Sequence, residues 1–518
     1  MKGIFAAWYD GVSVWTIFCS IPTSRVTAGL SLLAGLALLS MAIYFTPSSE
    51  APFPAYDPRG KPSAAWKRFG YDRTPSTYIR NAVLGTTSFF FFLDMVLARH
   101  TASAVHFEVG EATVGMYGIF RVWETCFAGI IDGIGLPYWV YYPRSEARKD
   151  RCSARLSDER TSNPGQDRAK YTFDLLTSVR GVSWDSDRKF SVLSRRTERD
   201  RAEPPIPLSH FVRQRFIYLV ICLVIVDIFD TLNKSRHWID AKDVVSAILA
   251  GSPENEVAIL IILHHHPITS LPWYQQPPFA FSVCVLTQLA LEVFYTPFAM
   301  LCVGLSNLFP SVLLGMNSNT FLPLFHNPIS FQTRTVADFW SAWHHIFKSS
   351  FQRLVDPLVY LFGIPTTRRH PRQVLKLILT FAFSALLHII LMHRAQRFSL
   401  RPFFELAGHD PVLRNRIHDA IWTPPWADLD TILFFTSQAF AMLFEQSVIL
   451  PLVSWSERRI HPWSSIVLLR LWTYSWLLLS GRWWSDVWVR CGFWASRERV
   501  VPISIVRGVW KGDWFAEG

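Results

Sequence analysis

Val374-Leu375-Lys376-Leu377-Ile378-Leu379-Thr380-Phe381-Ala382-Phe383-Ser384-Ala385-Leu386-Leu387-His388-Ile389-Ile390-Leu391-Met392 is one apolar segment with a histidine deep inside it. A run of this length and composition reads as a membrane helix, since about 20 mostly apolar residues cross the hydrocarbon core. An ionisable side chain there is costly to desolvate, so His388 marks a functional site by default. A second cluster lies upstream, Ala337-Asp338-Phe339-Trp340-Ser341-Ala342-Trp343-His344-His345-Ile346-Phe347. Together the two predict a polar site built inside a membrane protein.

The rest of the chain agrees. Of 518 residues, 50% are hydrophobic and 15% aromatic, which excludes a disordered or fibrous chain. The apolar residues gather into long blocks, which favours one multi-span membrane domain over several soluble ones. The 22 Trp fit this, because indoles prefer the membrane–water interface. Expected spans are Val26–Phe45, Ala82–Ala98, Phe216–Phe229, Val257–Leu263, Phe279–Leu305, Val374–Met392, Thr431–Val453 and Ser464–Ser480. Val257–Leu263 needs its neighbours from Val244 onward to reach across. Ile119–Val140 contains Arg121, Glu124 and Asp132, so it reads as interfacial or buried, and Phe351–Gly363 as re-entrant or interfacial. The expected fold class is all-α, a polytopic transmembrane helical bundle of about seven to ten spans.

Four regions follow. Residues 1–140 hold the first membrane segments and a Pro- and Ser-rich loop, Pro47–Pro75. Residues 141–208 are a basic polar loop, read as cytoplasmic, with a flexible middle at Ser162-Asn163-Pro164-Gly165. Within it Thr172–Val182 has apolar residues at helical spacing and is expected to be ordered. Residues 209–490 form the membrane core and 491–518 a tail. The formal net charge is +11. Lys and Arg concentrate between apolar blocks, where they bias loops to the cytoplasm, so the charge speaks for membrane topology rather than nucleic acid. Seven scattered cysteines make no CxxC pair, so neither a zinc site nor a disulfide framework is indicated. The first apolar stretch is interrupted by Asp10 and lacks a small-residue cleavage pattern, so Val26–Phe45 reads as a retained span.

Each polar candidate carries a plain and a functional reading. His388 is either tied to a backbone carbonyl or to Ser384 one turn earlier, or it is a general base. A neutral imidazole in a low-dielectric pocket can take a proton from a hydroxyl and later return it to a leaving group. A helix started near Asp338 places Phe339, Trp343 and Phe347 on one face, with Trp340 and His344 on the next stripe. That helix is either an amphipathic interfacial one with snorkelling Lys348 and Arg353, or one half of a reaction centre. Glu445 is a third buried ionisable candidate, read first as a structural partner in the bundle. His264-His265-His266 points its rings in different directions with no acid nearby, so no metal is expected. His370 and His393 sit at span ends. Asn233-Lys234-Ser235 is a formal glycosylation sequon of a kind that recurs by chance. No G-x-S-x-G elbow, P-loop or G-x-G-x-x-G is present, which argues against an α/β-hydrolase, an ATP-driven transporter and a dinucleotide enzyme.

Pro323-Leu324-Phe325-His326-Asn327-Pro328 leading into Asp338-Phe339-Trp340-Ser341-Ala342-Trp343-His344 resembles the wax-synthase-like branch of the membrane-bound O-acyltransferases. Ala385-Leu386-Leu387-His388 resembles that family's second motif, a histidine in an apolar helix. Asp174–Val182 resembles a stretch common in fungal members, and Leu443-Phe444-Glu445-Gln446 their late acidic region. The resemblance runs from about Lys170 to Trp488. The family's Gly-Arg after the Phe-Trp pair is replaced by Ser341-Ala342, which leaves Lys348 to substitute for the basic contact.

The resemblance implies acyl transfer from an acyl-CoA co-substrate to the hydroxyl of a hydrophobic alcohol, with no bound cofactor. His388 matches the catalytic histidine and His344 the second polar position. Trp340, Trp343, Asp338, Lys348, Arg353 and Glu445 are then candidates for holding substrate or CoA. The fungal flavour points to acetyl-CoA as donor and a terpenoid or meroterpenoid alcohol as acceptor, in the endoplasmic reticulum membrane. Two rivals stay open. One is a wax synthase acting on long-chain alcohols. The other is a transporter with His388 and Glu445 on its path, which predicts repeats or broken helices in matching halves, and none is found.

Overall fold

The computed structural model describes residues 25–45, 75–97, 105–127, 169, 172–173, 175–176, 206–237, 273–308, 318, 321, 323–325, 333–343, 346–364, 368–407, 426–459, 462–490 and 503–512. Among these residues every regular element is a helix and no strand occurs. In chain order they are α1 (Arg25–Phe45), α2 (Pro75–Leu97), α3 (Val105–Val122), α4 (Leu208–His237), α5 (Gln276–Leu308), α6 (Val336–Ala342), α7 (Lys348–Leu361), α8 (Arg369–Ala407), α9 (Trp426–Phe444), α10 (Leu450–Arg459), α11 (Pro462–Arg490) and α12 (Ile505–Lys511). A π-helical turn, Trp123–Phe127, ends α3, and a second, Glu445–Ile449, joins α9 to α10.

The fold is the expected all-α membrane bundle. Gln276–Leu308, His370–Ala395 and Asp428–Trp455 are long and apolar enough to cross a bilayer. They contain three of the expected spans. Gly29–Phe45 is a shorter apolar helix within α1. The stretches expected at Ala82–Ala98, Phe216–Phe229 and Ser464–Ser480 fall in or at the end of α2, α4 and α11. Val257–Leu263 lies outside the described residues, as does most of the polar loop. Thr172, Phe173, Leu175 and Leu176 are helical, and Leu175 is buried against α1 and α2.

Helices α1 to α3 form an up–down–up unit. Ser31 Oγ donates to Asp94 Oδ2 (2.8 Å), Ser88 Oγ to the Gly35 carbonyl (2.8 Å) and Arg80 Nη2 to the Phe45 carbonyl (2.8 Å). As the α1 partner number rises, the α2 partner number falls, so the pair is antiparallel. Small residues let α2 and α3 approach closely, as is usual where helices meet in a membrane. A Cβ on Gly115 would lie 2.8 Å from the Phe92 backbone carbonyl. Gly115→Ala is therefore expected to destabilise the protein by about 1–3 kcal/mol, because a backbone atom cannot rotate away. Thermal unfolding in detergent checks this against Gly110→Ala, whose new Cβ meets nothing within 4 Å.

The larger unit packs α5, α8, α9 and α11 around one core. Leu286 of α5, Leu387 and Leu391 of α8, Phe434 and Phe435 of α9 and Trp484 of α11 share it. Phe120 of α3, Phe347 just before α7 and Phe351 within it complete it. Helix α7 packs through Phe351 and Val355 and ends on exposed Leu361, whereas Ile119–Phe127 is a buried packing element. Arg121 and Glu124 pair inside it at 2.7 Å. Helix α4 turns Phe216, Ile217, Val220 and Ile221 outward and Asp227 and Asp230 inward. Those two acids are occupied by α12: Val506 N–H donates to Asp227 Oδ2 (2.9 Å), and Arg507 lies 3.8 Å from Asp230.

Candidate active site

His388 sits mid-way along α8, where the helix packs on α9. Its Nδ1 lies 2.7 Å from the Ser384 carbonyl oxygen one turn earlier. A carbonyl can only accept, so Nδ1 carries the hydrogen and donates it. In the neutral ring that fixes the tautomer and leaves Nε2 as the basic lone pair. The ring is gripped on two sides. It stacks on Phe435 at 4.4 Å and 27° between planes, and meets Trp484 edge-on at 5.1 Å. Phe434 stacks on Trp484 in turn at 5.7 Å. An imidazole held this way has a defined direction for its one free nitrogen, which a mobile ring lacks.

The upstream motif is brought to the same place. Helix α6 starts with a capping box: Asp338 N–H donates to Thr335 Oγ1 (2.9 Å), and Thr335 N–H donates to Asp338 Oδ2 (3.2 Å). This satisfies donors that a helix start leaves unpaired. Trp340, in the next turn, lies 6.2 Å from Phe435 and 5.3 Å from Phe381. Phe435 thus touches both Trp340 and His388, and the two sequence motifs meet on one aromatic ring.

The long helical face expected for Phe339, Trp343 and Phe347 does not form. Trp343 is extended, with φ −68° and ψ 166°, and its ψ ends α6 after seven residues. Phe339 and Trp343 still touch at 5.2 Å, and Trp343 packs on Phe325 at 4.8 Å. Phe347 turns away instead to Phe120 and Phe351. His344 and His345 lie outside the described residues, and so do the side chain of Lys348 and the His264–His266 run. Arg353 is half-buried on α7.

Glu445 is 1% exposed and opens the second π turn. Its Oε2 accepts the Val336 N–H (2.8 Å), which is the first residue of α6, and Trp472 Nε1–H (3.2 Å). Thr473 Oγ1 donates to the Arg334 carbonyl at 3.0 Å. The start of α6 is therefore held both from the π turn after α9 and from α11. At this junction Asp338 accepts backbone N–H groups, and Glu445 accepts a backbone N–H and an indole N–H. His393, expected only at a span end, is 3.0 Å from Asp428 and ties α8 to α9 beyond the His388 turn.

The aromatic partners of His388 and the amide of Gln438 are not singled out by sequence reasoning. Gln438 is one of two amides, with Gln446, inside the apolar run Thr431–Val453, and that placement is the one signal pointing to it. Phe434, Phe435 and Trp484 carry no such mark, since aromatic residues are plentiful throughout.

Residues 321–404 match the model of the membrane bound O-acyl transferase family. No curated protein and no solved structure matches the chain. The matched stretch holds the capping box, Trp340, the whole of α7 and His388. Over residues 321–404, in an all-α membrane bundle, the chain is similar to the membrane bound O-acyl transferase family.

Proposed function

We propose that the protein is an endoplasmic-reticulum O-acyltransferase that moves acetyl from acetyl-CoA to a hydroxyl of a terpenoid- or meroterpenoid-type metabolite. The observation that carries the chemistry is the Nδ1–H bond to the Ser384 carbonyl, because it leaves Nε2 of His388 free to accept. In this reading the acceptor hydroxyl gives its proton to Nε2 as its oxygen attacks the thioester carbonyl. The C–S bond then breaks, and the departing CoA sulfur takes that proton back from the ring. No enzyme nucleophile is needed, so both substrates are bound together. His344 supplies the second polar group, as a donor to the developing oxyanion. Lys348 and Arg353 attract the CoA phosphates. Phe434, Phe435, Trp340 and Trp484 around the base favour an apolar acceptor, because they offer ring faces and no charge. The donor and acceptor classes rest on the resemblance of Asp174–Val182 to fungal members.

The test uses microsomes carrying the protein. Labelled acetyl-CoA and palmitoyl-CoA are each offered with a panel of terpenoid and fatty alcohols, and esters are detected by mass spectrometry. The expected product is an acetyl ester of a terpenoid alcohol. Palmitoyl ester of a fatty alcohol would make the protein a wax synthase. Absence of every ester from membranes that contain folded protein would overturn acyl transfer.

A further inference from the structure

Gln438 is 0% exposed and lies one turn beyond Phe435, the ring that stacks on His388. Its Oε1 accepts Trp340 Nε1–H from α6 (3.3 Å) and Trp476 Nε1–H from α11 (3.2 Å). Its Nε2 donates to the Phe434 carbonyl (3.1 Å) and to Ser480 Oγ (3.0 Å). Ser480 passes its own hydrogen to the Trp476 carbonyl at 2.8 Å. The orientation of the amide is forced. An indole N–H only donates, so it must meet the oxygen, and a carbonyl only accepts, so it must meet the nitrogen. A primary amide has two acceptor and two donor positions, and all four are used here. Gln438 thus has no valence left for a substrate. What it does have is a grip on Trp340, which closes the aromatic wall around the base.

That wall belongs to the acceptor. A hydroxyl that gives its proton to His388 must bring its carbon skeleton against the rings packed around that histidine. CoA, with its phosphates, needs cations, and Trp340, Phe381, Phe434 and Phe435 supply none. We propose that Gln438 is a positioning residue that sets acceptor specificity by fixing the Trp340 indole against Phe435, the ring stacked on His388. This rests on the acyltransferase reading above.

A residue that only holds the fold together changes the amount of active enzyme and lowers turnover of every acceptor alike. A residue that shapes the acceptor wall changes the ratio between acceptors, and that ratio does not depend on the active fraction. The experiment measures kcat/KM for a linear C10 alcohol and for a tricyclic diterpenoid alcohol with the same acyl-CoA in the same membranes. In Gln438→Leu the ratio is expected to shift by about tenfold, the lower end of what one misfitted hydrocarbon group costs in an apolar pocket. Trp340→Phe removes the same N–H bond and is expected to shift the ratio in the same direction. The double variant should shift it no further than the larger single shift, because Trp340→Phe removes a bond that Gln438→Leu has already cut.

An unchanged ratio in Gln438→Leu, with both alcohols falling equally, overturns the proposal. So does a shift in Trp340→Phe that Gln438→Leu lacks, or full additivity in the double variant. If wild type esterifies neither alcohol, the acyltransferase reading fails separately. The tie is then read from the relative affinities of the same two alcohols by thermal-shift titration, where the same pattern among the variants is expected and its absence is fatal.

Discussion

His388→Ala is expected to lower ester formation by about 10²–10⁴-fold, the usual contribution of a positioned general base. Two features make this loss specific to one nitrogen. The Nδ1–H bond to the Ser384 carbonyl fixes which nitrogen is basic, and the stack on Phe435 with Trp484 at the edge fixes where it points. Water cannot easily replace it, because the neighbours are ring faces that offer a water little to bond. Alanine also leaves a gap among those rings, and cavities in packed cores cost stability. His388→Phe separates the two effects. A phenyl ring fills the slot between Phe435 and Trp484 but has no lone pair to accept a proton. It should be as inactive as alanine while unfolding near the wild-type temperature. Turnover is to be measured per mole of folded protein in one round of reaction. Activity above about a tenth of wild type in the phenylalanine variant would remove His388 from the chemistry and leave the ring as packing alone.

Much of this bundle is legible in the amino-acid sequence. Val374–Met392, Phe279–Leu305 and Thr431–Val453 stand out as spans because hydrocarbon imposes a length and a composition that few other environments demand. His388 is legible for the same reason, as a side chain that is costly to bury within an apolar run. The helix ending at Trp343 is not. Spacing alone would run a helical face on to Phe347, and only the packing of Trp343 on Phe325 shows where the chain leaves the helix. Arg121 and Glu124 can be read as buried, and their i, i+3 pairing reaches into the π-helical turn that begins at Trp123, which the spacing does not reveal. Gln438 is hidden differently. It is visible as one of two amides in an apolar run, yet its worth lies in Trp340 and Trp476, which are 98 and 38 positions away in the chain. Contacts of that range carry no periodicity for a sequence to reveal.

The second large effect is expected at Glu445, and it decides between two roles. The sequence places Glu445 among groups that could hold substrate, whereas its observed bonds run to the first turn of α6 and to Trp472. In Glu445→Leu, the buried Val336 N–H and the half-buried Trp472 indole N–H lose their common acceptor. A buried donor left unmade costs about 1–3 kcal/mol, so the Val336 N–H alone sets a loss of that size and the half-buried indole adds less. The damage should spread toward the reaction centre along a short path. Trp472 stacks on Trp476 at 5.7 Å, and Trp476 shares the Gln438 oxygen with Trp340. Helix α6 is only seven residues long, too short to hold itself, so its position depends on these ties. Glu445→Gln keeps a carbonyl oxygen that can serve both donors and should remain close to wild type in unfolding temperature and turnover. The alternative role predicts another pattern. If the carboxylate bound substrate through its charge, glutamine and leucine would both raise KM for that substrate, and thermal unfolding would not separate them. A stable, fully folded Glu445→Leu would therefore sink the structural role, because the buried Val336 N–H cannot lose its acceptor without cost.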